Sequence, residues 1–262
     1  MLIVGEILNE LKKQKDSYFD MGVTSPPYNK RGQNGALVKR VEYDDFDDSL
    51  KEDEYQNKQI EILNELYRII KDGGSLFYNN KNKWDNGILI HPYSWLSKTK
   101  WIIRQEIIWN RNIAANLRGW RFWNIDERIY WLYKPKDDNL VGEEMESRHS
   151  KFSSIWNIRP EQNIDHPAPY PIEIPTRCIY SILNGEPDKK IIDPYCGSGT
   201  TGVVCKYFGY EFLGIDLSKK YIDIADNRIK NAKREYNKIR QEISLHTVNK
   251  KGKNSNIELF FN

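Results

Sequence analysis

The chain has 262 residues, 39% hydrophobic and 29% charged, with 40 Lys and Arg against 37 Asp and Glu for a formal charge of +3. That length suffices for one sizeable α/β domain, or two small ones, with a real core, and the overall balance is only weakly basic. Three cysteines without a CxxC pair and four scattered histidines lack the usual metal spacings, and no stretch reads as a signal peptide or a membrane span, so reduced thiols and a cytoplasmic protein are expected.

Leu2 to Glu6 reads as a short strand opening into a helix over 7–15, and 18–24 as a strand ending in Thr24-Ser25-Pro26-Pro27-Tyr28. Two consecutive prolines fix φ, remove two donors and force Ser25 out of helical geometry, so the strand must stop in a stiff loop. Ser25 and the Pro26 carbonyl can accept from an exocyclic amine, and Tyr28 can stack on a planar ring. For these residues alone, a proline-rich turn after an edge strand is the competing reading. Residues 29–54 lack periodicity and carry eight acids against one Lys between 42 and 54, which predicts a mobile loop over the site.

Ile60, Leu63, Leu66 and Ile70 recur at helical spacing, and Asp72-Gly73-Gly74 is expected to stop that helix before a strand over 75–78. A helix near 91–97 and strands over 101–109 and 128–133 follow. Between those strands, 110–124 mixes Asn, Arg and Trp, suited to base or backbone contacts or, equally, to a packed loop. Over 81–134 ten Lys and Arg are interleaved with seven of the eight Trp, and such aromatic-laced basic segments suit nucleic acid. Residues 136–164 are polar and irregular and read as an excursion from the domain. A helix over 172–183, a buried strand over 190–193, a helix to about Gly209 and a strand over 212–216 form an α/β pattern. The stretch 217–244 reads as one long basic helix, with a loose end after Thr247.

Between the last two strands, Gly197-x-Gly199-x-x-Gly202 matches the dinucleotide fingerprint, and Asp216 stands near the spacing for a ribose diol. Asp193 does not suit a pyrophosphate, because a carboxylate at the strand tip repels phosphate and attracts an ammonium, directly or through water. A nucleoside carrying a methionine-like amino acid satisfies both ends better than NAD. Too little chain follows Gly197 for a dehydrogenase.

The pair of motifs, Thr24-Ser25-Pro26-Pro27-Tyr28 first and Asp193-Pro194-Tyr195-Cys196-Gly197-Ser198-Gly199-Thr200-Thr201 later, with Gly214-Ile215-Asp216 beyond, resembles the amino-group (N4-cytosine/N6-adenine) DNA methyltransferases of the permuted class. The resemblance covers most of the chain. It implies a single domain over 1–262 with the S-adenosylmethionine-dependent methyltransferase fold, an α/β architecture with a seven-stranded, mostly parallel sheet flanked by helices. It also implies S-adenosylmethionine as cofactor and double-stranded DNA, with the target base flipped out, as substrate. Carried over by residue, Ser25, Pro26, Pro27 and Tyr28 are catalytic. Thr24, His166, Pro167, Asp193, Pro194, Cys196, Gly197, Ser198, Gly199, Thr200, Thr201 and Asp216 bind the cofactor.

Residues 136–164 are the expected DNA-recognition excursion, and a cognate restriction endonuclease and a homodimer are possible partners. In the family, Ser at the first motif position is typical of cytosine-N4 enzymes and Asp of adenine-N6 enzymes, so N4-cytosine is the expected target and adenine N6 the alternative. RNA or protein methylation, or an inactive DNA-binding relative, rank below. Carbon-5 methylation needs a thiol beside the base-binding loop, where the sequence places none.

Overall fold

The computed structural model describes residues 1–29, 50–114, 119–138, 140, 153–161 and 170–246. Its strands are β1 (Leu2–Val4), β2 (Phe19–Thr24), β3 (Ile70–Asn80), β4 (Lys83–Asp85), β5 (Ile88–Ile90), β6 (Ile102–Asn110), β7 (Asp126–Tyr133), β8 (Ile155–Asn157), β9 (Lys190–Asp193) and β10 (Glu211–Asp216). Its helices are α1 (Ile7–Lys12), α2 (Glu52–Ile69), α3 (Tyr93–Leu96), α4 (Glu173–Leu183), α5 (Thr200–Phe208), α6 (Lys219–Lys230) and α7 (Tyr236–His246).

Eight strands form the main sheet in the order β1-β10-β9-β2-β3-β7-β6-β8, with β4 and β5 paired apart. β7 runs antiparallel to both β3 and β6, while the other pairings are parallel, so the sheet is mostly parallel as expected but has one strand more than seven. Alternation along the strands explains why it is covered on both faces. Ile129 and Trp131 of β7, Phe77 of β3 and Ile191 of β9 join the core under α4 and α5, whereas Tyr130, Leu132, Tyr78, Leu76 and Ile192 join the core under α1 and α2. Side chains two apart share a face, so a strand apolar at every position is buried on both sides.

The structure departs from the sequence pattern at three further places. Asp72-Gly73-Gly74 does not stop the helix: α2 ends at Ile69, and β3 begins at Ile70 and runs through the glycines. The Gly73 N–H donates to the Lys134 carbonyl at 2.8 Å and the Lys134 N–H to Gly74 at 3.0 Å, so these residues extend the sheet beyond β7. The excursion over 136–164 is not wholly outside the core. β8 pairs with β6, and Trp156 and Ile158 are buried, the indole of Trp109 donating to the Ile158 carbonyl at 2.8 Å. A three-residue strand with one inward side chain leaves too little alternation to read in sequence.

The single basic helix over 217–244 is two helices joined by a tight turn over 232–234. Arg228 clamps Glu235 through two 2.8 Å bonds across that turn, and Ala232 and Ile239 are buried as the chain folds back onto α4. The proposed mobile loop (apart from its ends), most of the recognition excursion, His166, Pro167 and the chain after Thr247 lie outside the described residues. Among the described residues no helix is long and apolar enough to cross a membrane.

Candidate active site

β2 and β9 are neighbours, yet the chain leaves β2 through α2 towards β3 and leaves β9 through α5 towards β10, on opposite sides. Ligands of open α/β sheets settle in the crevice that such a reversal opens at the strands' carboxyl ends. Thr24 ends β2, Asp193 ends β9, and the Thr24 hydroxyl donates to Asp193 Oδ1 at 2.8 Å. The two sequence motifs therefore meet at this edge.

Asp193 is fully buried and saturated by its own chain. Besides Thr24, it accepts from the Tyr195 N–H at 3.2 Å, the Thr201 hydroxyl at 2.7 Å and the Tyr170 hydroxyl at 3.1 Å. Burial pushes its carboxyl up to about 6 against the stabilising pull of these donors. The open carboxylate expected to meet a ligand ammonium is thus a structural knot tying β2, β9, α5 and Tyr170 together. Tyr170, three residues beyond Pro167, carries no motif that marks it in the sequence.

The glycine loop presents backbone and turns its side chains inward. Gly197 and Gly199 have positive φ of 49° and 78°, and a Cβ on Gly199 would lie 2.9 Å from that of Ala225, so only glycine lets the loop lie this close to α6. Ser198 and Thr200 are buried, and their hydroxyls accept from Arg228 Nη1 at 3.1 and 2.8 Å. Pro194 is buried, as is Cys196, whose thiol is pushed up by burial and whose N–H donates to the Ile215 carbonyl at 2.9 Å. Asp216 is half-buried and accepts from the N–H of Gly197 on one oxygen and of Ser218 on the other, both at 2.9 Å. A glycine loop free of obstructing side chains, beside a partly exposed carboxylate at a strand end, fits the adenosine half of S-adenosylmethionine.

The TSPPY loop does the opposite and converges on side chains. Pro26 is buried, and the Pro27 carbonyl accepts from the Tyr55 hydroxyl at 2.8 Å, which pins the turn. The Ser25 and Tyr28 hydroxyls are 3.0 Å apart, and the Tyr28 hydroxyl donates to Glu127 Oε2 at 2.8 Å. Asn79 Nδ2 lies 3.2 Å from Ser25 Oγ, 2.6 Å from the Tyr28 hydroxyl and 3.1 Å from Glu127 Oε2, and Arg111 pairs with Glu127 Oε1 at 3.2 Å.

Tyr28 is only 8% exposed, with Lys81 Nζ 5.4 Å from its ring centroid. The open stacking face expected of it is covered here. Asn79, Glu127 and Arg111 belong to no motif in the sequence. Topology brings them in, because the carboxyl end of β3 and the amino end of antiparallel β7 lie at one edge, and the available signal was a polar pair closing each apolar strand. Asn29, in the left-handed region at φ 50°, bonds the Leu50 carbonyl at 3.0 Å and so draws together the chain on either side of residues 30–49.

Residues 19–227 match the model of the N6/N4 methyltransferase family, described as DNA methylase. The type II methyltransferase M.HinfI of Haemophilus influenzae is 26% identical over 261 residues, covering 91% of this chain and 70% of that protein. M.SmaI of Serratia marcescens, also a type II methyltransferase, is 26% identical over 275 residues, 87% of this chain and 90% of its own. Among solved structures, the PvuII DNA methyltransferase (cytosine-N4-specific) matches with a TM-score of 0.68 at 16% identity over 92% of each chain. The M1.HpyAVI–SAM complex matches at 0.57 and 18% identity over 87% of this chain and 98% of that one. The fold is that of S-adenosylmethionine-dependent DNA methyltransferases. Because the family match runs from the start of β2 into α6, across both sides of the sheet reversal, the chain belongs to the N6/N4 DNA methylase family, whose methyl donor is S-adenosylmethionine.

Proposed function

We propose that the protein methylates the exocyclic N4 amine of cytosine in a short sequence of double-stranded DNA. The observation that carries this reading is Ser25: the first position of the catalytic loop holds a neutral hydroxyl, not a carboxylate, and that hydroxyl sits among Tyr28, Asn79 and Glu127. The structural likeness to a protein named cytosine-N4-specific supports it. An exocyclic amine is a poor nucleophile because its lone pair is delocalised into the ring. Acceptors at Ser25 Oγ and the Pro26 carbonyl favour a pyramidal nitrogen and fix its line of approach, so positioning does much of the work. S-adenosylmethionine, when bound, supplies an electrophilic methyl group. Asp216, Gly197 and Gly199 would hold its nucleoside, with Thr24, Asp193 and Thr201 setting the floor between the two loops.

The target base must leave the duplex to reach this edge, at a cost of a few kcal/mol. Beside the site, Trp120, Phe122 and Trp123 are exposed, Phe122 at 98%, and the Arg121 guanidinium stacks 4.1 Å from the Trp84 ring centroid. Such a cationic aromatic surface supports contact with an opened duplex. The excursion over 136–164, a cognate endonuclease, a homodimer and a cytoplasmic restriction-modification setting complete the proposal; the relatives named type II methyltransferases support that setting.

Nucleoside mass spectrometry of DNA from a methylation-free host tests the reading. N4-methylcytosine appearing with wild type and not with Ser25→Ala is the expected result. N6-methyladenine in its place overturns the base assignment, and no modified base overturns the DNA reading.

A further inference from the structure

We propose that Glu127 is a positioning residue that makes Ser25 a pure hydrogen-bond acceptor towards the substrate amine; this rests on the amine-methylation reading of the site. A serine hydroxyl is ambivalent, able to donate or accept, whereas an amine being held by its hydrogens needs acceptors. The hydrogen-bond chain removes the ambivalence. A carboxylate only accepts, so at 2.8 Å the Tyr28 hydroxyl must give its single hydrogen to Glu127 Oε2.

Having none left, Tyr28 is the acceptor in its 3.0 Å contact with Ser25, which commits the only Ser25 hydrogen inward. Both lone pairs of Ser25 Oγ then remain, one of them within reach of Asn79 Nδ2 at 3.2 Å. The other faces no donor of this network and offers the amine an acceptor.

Two further features hold the polarity. Asn79 Nδ2 faces three acceptors, Ser25 Oγ, the Tyr28 hydroxyl and Glu127 Oε2, so its amide nitrogen and not its oxygen belongs there. Arg111 occupies the other Glu127 oxygen at 3.2 Å, and Glu127 is only 7% exposed, which keeps water from competing for the carboxylate. An aspartate at position 25 would be an acceptor without help. Serine does the same work through Tyr28 and Glu127.

The test measures single-turnover transfer of labelled methyl groups from S-adenosylmethionine to unmethylated genomic duplex DNA, with wild type, Glu127→Gln, Ser25→Asp, Tyr28→Phe and the two double variants that pair Glu127→Gln with each. Glu127→Gln is expected to lower the rate at saturation by about 30-fold while changing cofactor affinity and the KM for DNA less than about threefold. In the Ser25→Asp background, and equally in Tyr28→Phe where the chain is already cut, the added loss from Glu127→Gln is expected to be under about threefold.

Equal losses in every active background, or a loss of cofactor affinity that tracks the loss of rate, overturn the inference and make Glu127 a packing residue. Should Ser25→Asp prove inactive, the Tyr28→Phe pair decides alone. Wild type active with Glu127→Gln unimpaired overturns this inference only, whereas wild type transferring no label overturns the amine-methylation reading with it.

Discussion

The two loops at the carboxyl edge of β2 and β9 lie against each other and solve opposite problems. In the loop after β2, the prolines fix the backbone so that the Ser25 and Tyr28 hydroxyls converge with Asn79 and Glu127 on one point. In the loop after β9, the hydroxyls of Ser198 and Thr200 turn to Arg228, that of Thr201 turns to Asp193, and glycines keep the surface bare. On the proposed reading, the same residue types are chemistry in the first loop and scaffolding in the second. What a conspicuous motif residue does depends on which way its backbone allows it to point.

Four substitutions sharpen or break that contrast. Ser25→Ala is expected to lower turnover by about 100- to 1,000-fold, measured as the rate of methyl incorporation at saturating cofactor. A loss below tenfold would mean that the convergent loop is not the reacting one. Gly199→Ala should destabilise the fold by about 2–4 kcal/mol, because alanine is strained at φ 78° and its Cβ meets Ala225, and urea unfolding reads the difference directly.

Asp193→Asn addresses the buried carboxylate. Burial raises it from 3.8 to about 6, so folding favours the protonated acid. That contribution is complete below about pH 4 and is lost as pH rises through 6, a change on the order of 3 kcal/mol for this group. Wild type should therefore lose stability relative to the asparagine variant between pH 4 and 7, as seen in paired denaturation midpoints; parallel curves would refute the shift. Smallest is Ser198→Ala, expected to change cofactor affinity by less than about threefold, since its hydroxyl bonds Arg228. A tenfold loss would return that side chain to the ligand.

Much of this was legible in the chain. The α/β alternation, the strand bearing TSPPY and the glycine loop before α5 follow from local pattern, because each is written in consecutive residues. Glu127 and Asn79 were not legible, since only the antiparallel pairing of β7 with β3 places them beside Ser25. Asp193 was read as facing a ligand because sequence supplies a charge without its surroundings, and the four donors come from β2, from Tyr170, from α5 and from its own turn. The break after α6 escaped for a similar reason. The residues over 217–244 keep helical composition throughout, and the turn is imposed by Arg228 with Glu235 and by the burial of Ile239.

The most direct test of the division between the two loops is calorimetric binding of S-adenosylmethionine to wild type, Ser25→Ala and Asp216→Ala. Ser25→Ala should bind with the wild-type Kd, and Asp216→Ala more than about tenfold more weakly, because the carboxylate beside the glycine loop is lost. Equal affinity in wild type and Asp216→Ala, or a matching loss in Ser25→Ala, would contradict the assignment of reaction to one loop and cofactor to the other.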